Sequence, residues 1–275
     1  MSATRSTWGD SAFVDLRLGN DRWSSETNAA LCGTAERLLG AAGIGRGMRV
    51  LNLFCGYGAL TFAAASRVGD TGTVVGVDSH AGAIDVAKSH SRRCRYKNVR
   101  FDMANAFRMR VHEPFDAVIF RHVLSGQRDP AAFLRSVRRL VRVGGVLAVQ
   151  EMDLSKGVRS VPPLPELRAV NDVTTQALDR CGVLSDAGGR LVDLFDEAGM
   201  PWPMMFSQSI VGSGYDHQLF ALIDSTVNLL APYMTAEEAG RIDVDTLGRR
   251  LQLSAVRLRS QIEFIPQICA WVRLD

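Results

Sequence analysis

Residues 48–60, MRVLNLFCGYGAL, constrain the fold of this chain more tightly than any other stretch. Val50, Leu51 and Leu53 read as a short buried strand, and residues 59–68 read as a helix. Between them Cys55, Gly56, Tyr57 and Gly58 form a turn with two backbone positions free of Cβ. A strand, a glycine turn and a helix N-terminus make a place where a ligand can lie directly on backbone N–H groups. The same run without a ligand would be a plain tight turn between strand and helix. The spacing excludes two other nucleotide motifs. A G-x-G-x-x-G pattern begun at Gly56 meets Thr61 where its third glycine belongs, and no Gly-Lys-Ser/Thr follows to make a P-loop.

A second strand, residues 73–78, ends on a carboxylate. Asp78 lies about 22 positions after Gly56, near the offset at which an acid reaches a ribose hydroxyl pair. An acid there can also cap the following helix, so its weight comes from the pairing with the glycine turn. Further on, residues 98–101 precede Ala104-Asn105-Ala106-Phe107. Residues 115–124 (FDAVIFRHVL), Asp129-Pro130 and residues 140–151 (LVRVGGVLAVQE) complete a series. Taken in order, these runs resemble the motifs of class I S-adenosylmethionine (SAM)-dependent methyltransferases. The likeness is to the branch that includes ubiquinone and natural-product enzymes, and it covers residues 48–151.

The resemblance implies an α/β fold, a doubly wound seven-stranded sheet of Rossmann-like form whose last strand is antiparallel. It implies SAM as cofactor, with S-adenosylhomocysteine as product. Gly56 and Gly58 then supply close backbone approach, together with their turn neighbours Asn52, Phe54 and Cys55. Asp78 takes the ribose, and Asn105, Ala106 and Phe107 wall the adenine, with Ser79 on the same side. Arg121, among the residues after strand 4, lines the methionine end. The chain departs from the family pattern at named positions. Asn52 replaces the acid of the first motif, Phe54 its first glycine, Asn105 the aspartate of the "D-A" pair and Val143 the proline of "P-G-G". Ser125-Gly126 stands where many relatives carry a His-His pair. Phe54 requires a shifted backbone or a ring turned towards the sheet.

Methyl transfer by direct displacement needs alignment first, because the sulfonium already activates the methyl group. A general base helps when the acceptor must lose a proton. His122 and Glu151 are the candidate catalytic residues, since each falls at the carboxyl end of an expected strand. His122 could also be structural, and Glu151 could cap or buttress Arg121. The leading expectation is methylation of a small, largely apolar molecule, such as a secondary metabolite, with the acceptor atom (O, N or C) open. A second reading is a methyltransferase-fold protein that binds SAM without transferring methyl, as a cyclase or a non-catalytic partner would. A third, nucleic-acid methylation, rests only on the basic run Arg92, Arg93, Arg95, Lys97 and Arg100. No Asn/Asp-Pro-Pro-Tyr/Phe motif of amino-group methylases follows strand 4, and the run reads as a solvated surface.

With 47% hydrophobic and 22% charged residues and a net charge of +3, the 275-residue chain has an ordinary globular composition. No apolar run suits a membrane span or a signal peptide, and five scattered cysteines without C-x-x-C fit reduced thiols. These features suggest a cytoplasmic protein without a metal site, and they leave room for a homodimer. One domain is expected, with an N-terminal helical segment (1–47), a SAM-binding half (48–152) and a substrate-side half (153–275). Helices are expected over 27–42, 78–91, 131–141, 171–181 and 188–198. Strands are expected over 204–211 and 263–272, with a helical insertion over about 212–260. Residues 1–26, with Trp8, Phe13 and Trp23, precede the core and are expected to fold over the ligand.

Overall fold

The computed structural model describes residues 21–105, 109 and 112–275. The expectations for Ala106 and Phe107, and for residues 1–20, lie outside the described residues.

Alternation of apolar strands with amphipathic helices builds a layered α/β molecule. Helix α1 (Asp21–Ala41) leads into β1 (Arg49–Leu53), α2 (Ala59–Val68), β2 (Thr73–Asp78), α3 (Ala81–Arg93) and β3 (Val99–Met103). Next come β4 (Phe115–Arg121), α4 (Pro130–Arg138) and β5 (Val141–Met152). The downstream half contains β6 (Arg159–Val161), α5 (Pro165–Cys181), α6 (Leu191–Glu197), β7 (Met204–Gln208) and β8 (Val211–Ser213). Helices α7 (His217–Leu230), α8 (Ala236–Ile242) and α9 (Leu247–Leu258) follow, then β9 (Gln261–Glu263) and β10 (Gln267–Leu274).

Seven strands form one sheet in the order β3-β2-β1-β4-β5-β10-β7. The first five run parallel, and β10 is antiparallel to both neighbours. The expected sheet and its reversed last strand are therefore present. Chain order turns back between β1 and β4, and in open α/β sheets the ligand crevice lies at such a point, beyond the carboxyl ends of the strands. Leu51, Leu53, Val118, Phe120, Leu147 and Val149 face α4 and α6 from one side of the sheet. Val50, Val74, Ala117, Ile119 and Ala148 face α1 and α2 from the other. A third apolar cluster unites α5, α7, α8 and α9 with the small sheet.

Two expected strands are divided. Residues 204–211 end their place in the main sheet at Gln208, and residues 263–272 rejoin it only at Gln267. Val211–Ser213 and Gln261–Glu263 instead pair with Arg159–Val161 as a second, three-stranded sheet, order β6-β9-β8. The chain must leave one sheet for the other around Phe264, Ile265 and Pro266, and Pro266 has no N–H for a ladder. Helix α3 starts at Ala81, later than expected, because His80 Nδ1 accepts the Ala83 N–H at 3.0 Å and caps it. Between β8 and β9 the insertion is helical, as its sequence suggests. No described helix is long and apolar enough to cross a membrane.

Candidate active site

The glycine turn sits at the carboxyl end of β1, beside the point where the sheet reverses. Gly56 (φ 51°) and Gly58 (φ 90°) both occupy the left-handed region. Gly58 has a second reason to lack a side chain: a Cβ there would come within 2.8 Å of the Phe101 and Phe62 rings. As N-cap of α2, Gly58 offers no side chain to the first-turn N–H groups. Such donors, together with the positive end of the helix dipole, favour an anionic group.

Asp78 fixes this turn. Its Oδ2 accepts the Gly56 N–H at 2.8 Å and its Oδ1 accepts the His80 N–H at 2.9 Å. An ionised carboxylate has about four acceptor positions, and both of these bonds come from backbone N–H groups beside the site. The buried acid at the end of β2 therefore shapes the loop, a duty that spacing alone does not reveal.

The turn's altered residues can now be placed. Asn52 is buried, and in the orientation that satisfies both its ends Oδ1 accepts from Thr61 Oγ1 at 2.8 Å. Its Nδ2 then donates to the Ile119 carbonyl at 3.2 Å. Asn52 thus ties β1 to α2 and β4 from within the fold. Phe54 takes a positive φ, 52°, a conformation that favours glycine. Its ring turns to the α4 side of the sheet, 5.9 Å from Phe133 in an edge-on contact. Of the two arrangements open to a bulky residue there, the side chain takes the second. Cys55 lies against Ile84, Ala87 and Phe101. Burial first, and then the Asp78 charge, push its thiol far above the usual range, so it stays protonated and is no nucleophile.

Ser79 and Asn105 are exposed at the carboxyl ends of β2 and β3, and Arg121 is half-buried at the end of β4. The fold therefore brings all the described candidates to one end of the sheet.

His122 and Glu151 lie in a buried polar layer at that same end. His122 also adopts positive φ, at 55°. Its N–H donates to the Gln150 carbonyl at 2.8 Å, and its Nε2 is 2.8 Å from Gln267 Oε1. Glu151 Oε1 accepts the Val123 and Leu124 N–H groups at 2.7 and 2.8 Å. It thereby holds the short 3-10 turn Leu124–Gly126 that follows β4. Glu151 has a capping position at the base of the site, while His122 carries the titratable ring of the pair.

Sequence reading missed His80, Thr61, Gln150 and Gln267. The last two had a signal: each is a glutamine in a strand rich in apolar residues, and both are fully buried. A buried amide needs partners.

Comparison with known proteins is consistent with this geometry. A protein-family profile described as "Methyltransferase domain" matches residues 44–199, more than half of the chain. The chain is 30% identical over 100 residues to a demethylmenaquinone methyltransferase of Lactococcus lactis, covering 36% of this chain and 40% of that one. It is 31% identical over 152 residues to a ubiquinone/menaquinone biosynthesis C-methyltransferase of Pectobacterium atrosepticum, covering 54% and 58%. The chain thus spans about two-fifths to three-fifths of the length of these curated relatives. Among solved structures, a putative methyltransferase from Bacillus halodurans shares the fold. The TM-score is 0.57 at 16% identity, covering 87% of this chain and 97% of the other.

Proposed function

Because this chain belongs to the methyltransferase-domain family, we propose that it methylates a small, largely apolar acceptor with SAM as methyl donor. Bound SAM supplies a methyl carbon already activated for displacement. The observation that carries the reading is the Asp78-clamped glycine turn at the N-terminus of α2, placed where the sheet reverses. There the first-turn N–H groups of α2 hold the carboxylate end of the donor, and Asp78 accepts from the ribose hydroxyls. Ser79 and Asn105 flank the adenine, and Arg121 lies towards the methionine end. Glu151 keeps the backbone after β4 in place, and His122 serves as the base when the acceptor must lose a proton. The quinone-pathway names of the curated relatives suit an apolar acceptor.

Calorimetric titration with SAM and S-adenosylhomocysteine tests the proposal. Both ligands are expected to bind the wild type. Asp78→Asn should weaken both by about tenfold or more, the loss of a hydrogen bond to a charged group being worth roughly 1.5–3 kcal/mol. Absence of binding by either ligand would overturn it. Binding without methylated product, across a panel of quinols and phenols followed by mass spectrometry, would support the reading in which SAM is retained but not consumed.

A further inference from the structure

The basic run at the end of α3 is gathered by the fold into one place. Lys88, Arg92, Arg95 and Lys97 line an open cavity of about 540 Å³ between the C-terminal half of α3 and the edge strand β3. No acidic residue lines it. Among the described residues, none of the four forms an ion pair or a side-chain hydrogen bond. The neighbouring cations are engaged elsewhere: Arg93 Nη2 is 3.1 Å from His90 Nδ1, and Arg100 pairs with Asp102 at 2.7 Å. The wall behind the four is made of packed rings. Tyr96 and Phe101, which also line the cavity, lie 4.8 and 5.4 Å from the Phe62 ring of α2 between centroids. Arg95 and Tyr96 are set by the turn that ends α3, where their N–H groups donate to the Arg92 and Ser91 carbonyls at 3.2 and 3.1 Å.

Cations near the end of a helix are ordinarily accounted for by its dipole. That end carries only roughly half a negative charge, against the four positive ones gathered in this cavity. We propose that the cavity binds a compact, multiply charged phosphate anion, a di- or triphosphate group. Arg92 and Arg95 would grip it as guanidinium forks, with Lys88 and Lys97 as point charges. The volume lies within the roughly 300–1,000 Å³ of small-ligand sites. A single carboxylate would leave most of the charge unmatched, whereas two or three linked phosphates match it within the same space. An extended nucleic acid needs cations that run on beyond the cavity and open ring faces for stacking. Here Arg93 and Arg100 are engaged, and Tyr96 and Phe101 already pack on Phe62. The cavity reaches Val99, where β3 begins, while the candidate methyl-transfer site lies at the carboxyl ends of the strands. The phosphate site is therefore independent of the methyl-transfer reading.

Calorimetric titration of the full chain with inorganic tripolyphosphate, in metal-free buffer of low salt, tests the site. One equivalent is expected to bind and to raise Tm, since a ligand of the native state stabilises it. Arg92→Gln combined with Arg95→Gln should weaken binding by about tenfold or more, through lost hydrogen bonds to a charged group. Lys88→Gln combined with Lys97→Gln should weaken it as well. Arg249→Gln, which changes an exposed arginine of α9 outside the cavity, should leave it unchanged. Arg92, Arg95 and Lys97 are exposed and Lys88 is half-buried, so both double variants should keep the wild-type far-UV dichroism. Failure to bind tripolyphosphate at millimolar concentration would overturn the proposal. So would an affinity that both double variants leave unchanged. Citrate bound as tightly as tripolyphosphate would overturn the assignment to phosphate. A single-stranded oligoribonucleotide that binds more tightly through the same four residues would show a nucleic-acid track instead, and the small-anion site would fall.

Discussion

Phe54 stands in the left-handed region, where an L-residue costs roughly 1–2 kcal/mol relative to glycine. Against that cost it sets an edge-on contact with Phe133, an arrangement worth about 0.5–1.5 kcal/mol beyond area burial. Deleting the ring also removes its partly buried apolar area, up to about 1.5–3 kcal/mol for a full side chain, so Phe54→Gly should lower the unfolding free energy by about 1–3 kcal/mol, measured by urea denaturation. S-adenosylhomocysteine affinity should hold, because the ring points into the α4 side of the sheet. A weakened affinity would mean that the ring touches the ligand. The sequence showed that something had to yield at this position. Which of backbone or side chain yielded was decided by the space beside Phe133, some eighty residues further along. Asn52 follows the same logic: the loss of the family's acid was legible, its bridge between Thr61 and Ile119 was not.

Helix α8 is set by a capping box of local origin and anchored by a distant arginine. Thr235 Oγ1 accepts the Glu238 N–H, and Glu238 Oε2 accepts the Thr235 N–H at 2.8 Å. Arg180, at the end of α5, then forms a two-pronged bond with Glu238 at 2.8 and 2.5 Å. The Arg180 hydrogen bonds, followed by the Thr235 N–H, hold the Glu238 carboxyl down at about 2. A folded-state value below the unfolded one gives stability that is complete above the ordinary glutamate range of about 4.3 and lost as pH falls through the folded value. Glu238→Gln should therefore lower Tm at neutral pH, and the gap to wild type should close as pH falls from about 4.3 towards 2. A gap that persists at the acid end would show that the charge is not what anchors α8. The insertion as a helical element was readable from its length and periodicity. The division of the neighbouring strands was not, since hydrophobic alternation runs on while the chain changes sheets at Pro266.

Across the whole molecule, α1 joins the two halves. Ala35, Leu38 and Leu39 pack into the sheet's cluster, and Ala30 lies against the cluster of the insertion helices. Leu39 is fully buried. Replacing it with alanine should cost about 2–5 kcal/mol. Far-UV dichroism, which reports the helices throughout, and the fluorescence of Trp271 in the sheet, with the other three tryptophans replaced by phenylalanine, should shift together to one lower urea midpoint. Separate midpoints would show that the halves fold independently. The sequence by itself determined the parallel half of the sheet, the glycine turn and the acid at the end of β2. Their signals are short in range: alternation, turn chemistry and spacing within about thirty residues of one βαβ unit. Only the tertiary structure decided which groups meet at the base of the site. His122 and Gln267 are 145 residues apart in sequence, and they meet because β10 runs antiparallel to β5 with Gln267 opposite Met152. A one-residue slip of that register would turn Gln267 to the other face, and no local pattern in the chain encodes the pairing.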